Sequence, residues 1–164
     1  MARQLAERLG LPEIHGVKIF RTFLAIVAFA AFFAASVEAE TSWSTDYKRS
    51  QQEAKASHKL VLLNFTGSDW CGWCIKLDKE IFSKPEFAEY AAKNLVLVEL
   101  DFPRRKQLSD MVRHQNVEMA EQFQIQGFPT IIVLNGEGQK VGELGYTPGG
   151  PSAFIAELEK LRKG

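Results

Sequence analysis

The chain has two cysteines, and both lie in one run, Trp70-Cys71-Gly72-Trp73-Cys74. Before it stands an apolar stretch of strand length, Leu60-Val61-Leu62-Leu63-Asn64-Phe65, broken by Thr66-Gly67-Ser68-Asp69. After it a helical pattern extends to about Phe82. A continuous apolar run of that length reads as a strand buried on both faces, which needs a parallel or mixed sheet with a layer on each side. A strand that delivers a Cys-x-x-Cys pair into the first turn of a helix confines the chain to α/β architectures.

The remaining pattern agrees. Ser44 is expected to cap a short helix that carries Tyr47, Ala54 and His58 near one face and ends at Lys59. Within the helix from Gly72 to about Phe82, Ile75, Lys79 and Phe82 fall along one side, and Pro85 to Lys93 reads as a second helical piece ending at Asn94. Leu95 to Asp101 returns to strand character, with Val96, Val98 and Leu100 facing one way and Leu97, Glu99 and Asp101 the other. A polar stretch from Pro103 to Gln115 precedes a helix from about Val117 to Phe123, which Gly127-Phe128-Pro129 ends. Ile131 to Leu134 is the third strand, and Asn135-Gly136-Glu137-Gly138 turns the chain into a fourth, Lys140 to Tyr146, as an antiparallel hairpin. Ser152 opens a closing helix with Phe154, Ile155, Leu158 and Leu161 on its apolar face. The expected fold is α/β, a central mixed β-sheet flanked by helices on both faces.

The N-terminus reads differently. Lys18 and Arg21 precede an apolar run from Phe23 to Ala35, followed by Ser36-Val37-Glu38-Ala39, the n-region, h-region and small-residue cleavage site of an export signal. The run has about 14 apolar residues against the about 20 of a spanning helix, so cleavage before Glu40 is expected over an uncleaved anchor within residues 22–37. Residues 1–39 are therefore expected to be a signal peptide and residues 40–164 one domain, periplasmic or extracellular. The 20 Lys and Arg balance the 20 Asp and Glu, which argues against nucleic-acid binding.

The position of the cysteines implies their chemistry. A helix N-terminus presents unpaired N–H groups and the positive end of the macrodipole to Cys71, favouring its thiolate. Cys74, one turn further in, is placed to attack a mixed disulfide on Cys71 and release the product. Cys71 is thus the expected nucleophile and Cys74 the resolving thiol. A zinc site would need about four ligands, and the exported part could add only His58 and His114, which lack ligand-pair spacing, so no metal is expected. A structural disulfide stays open as an alternative, although so short a loop constrains the unfolded chain little.

The strand followed by Trp70-Cys71-Gly72-Trp73-Cys74, together with Gly127-Phe128-Pro129-Thr130 before a later strand, resembles the thioredoxin family over about residues 43–162. Ser68-Asp69-Trp70 and Phe82-Ser83-Lys84-Pro85-Glu86-Phe87 are most similar to exported bacterial members, including the C-terminal periplasmic domain of the electron-transfer protein DsbD. The resemblance implies a thioredoxin fold, a cis Phe128-Pro129 bond, and a substrate-docking lip of Phe128, Pro129 and Thr130 joined by Trp70, Gly72 and Trp73. Trp70 is expected to pack beside the thiols and Trp73 to lie exposed enough to touch substrate.

Many family members carry a buried aspartate on the strand before the cysteines; Asn64 stands there, and it cannot titrate. Proton handling then falls to Asp78, on the same helix side as Cys74, to Glu99, at a lysine position of thioredoxin, or to water. The resulting expectation is a thiol–disulfide oxidoreductase, a protein-disulfide reductase in the first instance. It would need no cofactor beyond its own disulfide and would act as a monomer on protein thiols and disulfides, with a membrane electron-donor protein as recharging partner. The alternatives are a disulfide oxidase or isomerase, and a client-binding module with an inert Cys71–Cys74 bridge.

Overall fold

A computed structural model of the chain describes residues 42–163. The signal peptide expected over residues 1–39 lies outside the described residues. In chain order the elements are β1 (Trp43–Ser44), α1 (Tyr47–Ser57), β2 (Leu60–Thr66), α2 (Gly72–Leu77), which continues as a π-helix (Asp78–Phe82), α3 (Pro85–Asn94), β3 (Leu95–Asp101), α4 (Asp110–Gln122), β4 (Thr130–Leu134), β5 (Lys140–Leu144) and α5 (Gly150–Lys163).

One five-stranded sheet has the order β1-β3-β2-β4-β5. Its centre is β2, parallel to β3 with Asn64 opposite Glu99 and Thr66 opposite Asp101, and antiparallel to β4 with Phe65 opposite Thr130. The sheet is therefore mixed, and both its faces are covered. Leu62, Leu97, Ile131 and Val133 pack against Leu77, Phe82, Phe87, Phe154 and Leu158 from α2, the π-helix, α3 and α5. Val61, Leu63, Val98 and Ile132 pack on the other face with Ala54 of α1 and Met119 of α4. Each such buried aliphatic side chain contributes about 1.5–3 kcal/mol. This is the thioredoxin fold that the resemblance implies.

The structure corrects several local expectations. Asp46, not Ser44, caps α1, its Oδ1 accepting from the Arg49 amide at 2.9 Å, while Ser44 pairs with β3 in a short strand that its polar sequence did not signal. The buried side of α2 and its continuation is Cys74, Leu77, Ile81 and Phe82, whereas Ile75 is exposed. The buried side of α2 itself is set by Cys74 and Leu77, and the wider π turn from Asp78 to Phe82 then shifts Ile81 and Phe82 off the α-helical period that would align Ile75, Lys79 and Phe82. Helix α4 begins at Asp110, inside the stretch read as polar connection; Ser109 caps it, Oγ accepting from the Val112 amide at 3.4 Å. Its first turns face solvent and carry no apolar period to read.

Candidate active site

The turn from β2 into α2 is built around Gly67. Its carbonyl accepts from the amides of Trp70 at 3.2 Å and Cys71 at 2.8 Å, and a Cβ there would lie 2.5 Å from the Trp70 ring, so only glycine fits. The turn leaves Cys71 extended, with φ −85° and ψ 104°, as the N-cap of α2. Its Sγ accepts from the Cys74 amide at 3.2 Å. The two sulfurs are bonded to each other, with the Cα atoms 5.2 Å apart. When the pair is reduced, this N–H and the positive helix end both favour negative charge on Cys71. Cys71 is 7% exposed and Cys74 4%, a margin too small to rank them; the cap geometry distinguishes the two sulfurs.

A second set of contacts fixes the segment before the cysteines. Buried Asp101 accepts from the amide and hydroxyl of Ser68 at 2.9 and 2.6 Å, and its carbonyl accepts from Asn116 Nδ2 at 2.9 Å. The Asp69 carboxylate accepts from the amides of Arg104, Arg105 and Lys106 at 2.9, 2.7 and 3.3 Å. Those hydrogen bonds, the Arg104 amide foremost, hold the Asp69 carboxyl below the usual carboxylate range. Trp70 Nε1 donates to the Phe102 carbonyl at 2.8 Å, and the Arg104 guanidinium lies 4.0 Å over the Trp70 ring. Phe128 meets Trp70 edge-on at 6.0 Å and stacks on Phe102 at 5.1 Å.

The Phe128-Pro129 bond is cis, as the resemblance implies, and Thr130 opens β4 with its hydroxyl donating to the Gly127 carbonyl at 2.8 Å. Phe128, Pro129 and Thr130 are half-buried, Gly72 is exposed, and Trp70 is 36% exposed. Trp73 is 59% exposed and leans on Tyr146, ring centroids 5.4 Å apart; Lys76 Nζ lies 5.2 and 5.0 Å from those two rings. Tyr146 is held in turn by its hydroxyl, which donates to Glu80 Oε2 at 2.6 Å. Trp73 thereby has a fixed wall beside it while its outer face stays open.

The two carboxyls named from the sequence differ in setting. Asp78 is exposed, its Oδ2 accepting from the Ser83 hydroxyl at 3.2 Å. Glu99 is half-buried beside Asn64, whose Oδ1 is buried and has no hydrogen-bond partner among the described residues. Burial first, then the negative charge of Asp101, raises the Glu99 pKa; Lys106 opposes and Asp78 adds to the rise. The folded pKa thus exceeds the unfolded one, so the stability linked to Glu99 is full below its ordinary value of 4.5 and declines as pH rises through the folded pKa. Glu99→Gln is expected to abolish that decline: the variant's urea midpoint should exceed wild type at pH 7, with the gap closing at pH 4. A constant gap across that range would remove Glu99 as its source. Among the described residues, no three His, Cys, Asp or Glu side chains form a group that could hold a metal ion.

Sequence reasoning missed the partners that position this site: Asp101, the Asp69 clamp on residues 104–106, Arg104 over Trp70, and Tyr146 with Glu80. All are contacts between residues more than 30 positions apart, which leave no periodic trace.

Residues 47–162 match the model of a thioredoxin-like domain. The chain is 34% identical over 125 residues to the disulfide bond reductase DsbH of Chlamydia pneumoniae, covering 76% of this chain and 75% of that protein. It is 31% identical over 118 residues to the thiol:disulfide interchange protein DsbD of Klebsiella pneumoniae, a match spanning 69% of this chain but only 18% of DsbD. A solved structure of a DsbH oxidoreductase superposes with a TM-score of 0.74 at 33% identity, covering 79% of this chain and 89% of that one.

Proposed function

The chain belongs to the thioredoxin-like family, and from that premise we propose that it is a reductase of protein disulfides that works outside the cytoplasm. Its chemistry is thiol–disulfide exchange through Cys71 and Cys74. One observation carries the reading: Cys71 Sγ is the N-cap of α2 and accepts the Cys74 amide, where a thiolate gains most. In this reading Cys71 attacks a client disulfide, and Cys74 then displaces the reduced client and closes the Cys71–Cys74 bond. Trp70, Gly72, Trp73, Phe128, Pro129 and Thr130 dock the client. Glu99, the more enclosed carboxyl, takes the Cys74 proton, with Asp78 modulating it through its charge. The direction of electron flow is supported by the similarity to a protein named a disulfide bond reductase. A membrane electron donor would restore the dithiol, and residues 1–39 would direct export.

A redox titration of the full chain tests this. A reductase should show a potential near −270 mV, and a value near −120 mV would make the chain an oxidant instead. Alkylation of the reduced pair on the same sample should show the Cys71 thiol ionising below the range of a free cysteine. A pair that does not cycle, or a Cys71 that does not alkylate, would leave an inert bridge and overturn the enzyme reading.

A further inference from the structure

We propose that Arg104, Arg105 and Lys106 form a cationic docking site for protein segments that carry carboxylates beside the reacting cysteines. The site is continuous with the aromatic lip of Trp70, Phe102 and Phe128. The inference rests on the exchange reaction proposed above and names the class of client.

All three cations are exposed, yet their backbone is fixed, because the Asp69 carboxylate holds the three successive amides. Arg105 Nη2 also donates to the Asp69 carbonyl at 2.5 Å, and Arg104 is seated on Trp70. Among the described residues no carboxylate comes within ion-pair distance of any of the three. The Asp69 carboxylate is occupied by main-chain amides. Three adjacent like charges repel one another, and the fold holds them together next to the redox pair with a counter-charge short of their own, Asp69 acting on Arg105 and Glu99 on Lys106. A client with acidic residues flanking its disulfide supplies the remaining counter-charge. Because the segment is already ordered, binding immobilises little further chain. The aromatic chain Trp70–Phe128–Phe102 links these charges to the cis-proline lip, so one extended segment can reach both.

The test uses two synthetic peptides, each closed by one disulfide and identical except that Glu flanks the cysteines in one and Gln in the other. The reduced full chain passes two electrons and two protons to the peptide disulfide and ends as the Cys71–Cys74 disulfide. At low ionic strength the second-order rate constant for the Glu peptide should exceed that for the Gln peptide by about fivefold. The ratio should fall toward one at about 1 M salt, where the Debye length is about 3 Å. Arg104→Gln combined with Lys106→Gln should bring the low-salt ratio to about one. Lys106→Glu, a position whose side chain makes no hydrogen bond among the described residues, leaves the same net charge as that pair of changes and should likewise bring the low-salt ratio to about one. Equal rates for both peptides in the wild-type chain, or a Lys106→Glu chain with the wild-type ratio, would overturn the docking site and leave the exchange reading intact. Failure to reduce either peptide would overturn the exchange reading, and the docking site with it.

Discussion

Cys71→Ser is expected to lower thiol–disulfide exchange by about 10³-fold or more, because the oxygen that replaces Sγ cannot attack a disulfide under these conditions. Cys74→Ser should behave differently. It retains the capped nucleophile, since the hydrogen bond that reaches Cys71 Sγ comes from the residue 74 main-chain amide, which serine also has. The first step proceeds and the second cannot, so a client stays attached through Cys71. Non-reducing electrophoresis should therefore show a mixed disulfide with Cys74→Ser and none with Cys71→Ser. The inverse pattern would exchange the two roles. Trapping by neither variant while the wild-type chain cycles would mean that the pair does not work by successive attack. The geometry favours the stated order because the cap turns one sulfur, not the other, toward the helix N-terminus.

What could be read ahead of the structure follows the range of the interactions involved. The cysteine pair, the strand before it and the hairpin at Asn135–Gly138 are local, set by residues within a few positions, and they lie where expected. Pro85 at the first position of α3 is local in the same sense. The loop after β3 is not. Its conformation depends on Asp69, at the far side of the redox turn, and nothing in residues 103–109 signals that three of their amides share one carboxylate. The π turn also escaped: Ile81 and Phe82 are adjacent in sequence and both buried in the core, a pattern that the α-helical period does not predict. Glu99 shows the intermediate case. The alternation of β3 put it on the correct face, but its enclosure beside Asn64 needed the register of two strands.

The aromatic core around Phe82 should dominate stability, and Phe82→Ala measures it. Phe82 is 2% exposed, with its ring centroid 5.1 Å from Trp43, 4.9 Å from Phe87 and 5.6 Å from Phe154. It thus joins the edge strand β1, helix α3 and helix α5 to the end of the helix that begins at Cys71. Truncation removes its transfer energy and leaves a cavity between elements too rigid to close over it, at a cost of about 3–5 kcal/mol. Edge-to-face and tilted ring pairs add to the loss. Natural domains are stable by about 5–15 kcal/mol, so this is a large share. In the oxidised chain, urea unfolding should show that loss with an unchanged m-value, and the melting temperature should fall by about 10 °C or more. Phe82→Leu keeps most of the volume and should lose much less. A loss below about 1 kcal/mol for Phe82→Ala would show that the cluster collapses into the gap. The link to function lies in what the cluster supports: Cys71 can be held as a helix cap only while the far end of that helix is anchored, so Phe82→Ala should also slow exchange, whereas a cluster serving stability alone would leave the rate of the folded fraction at the wild-type value.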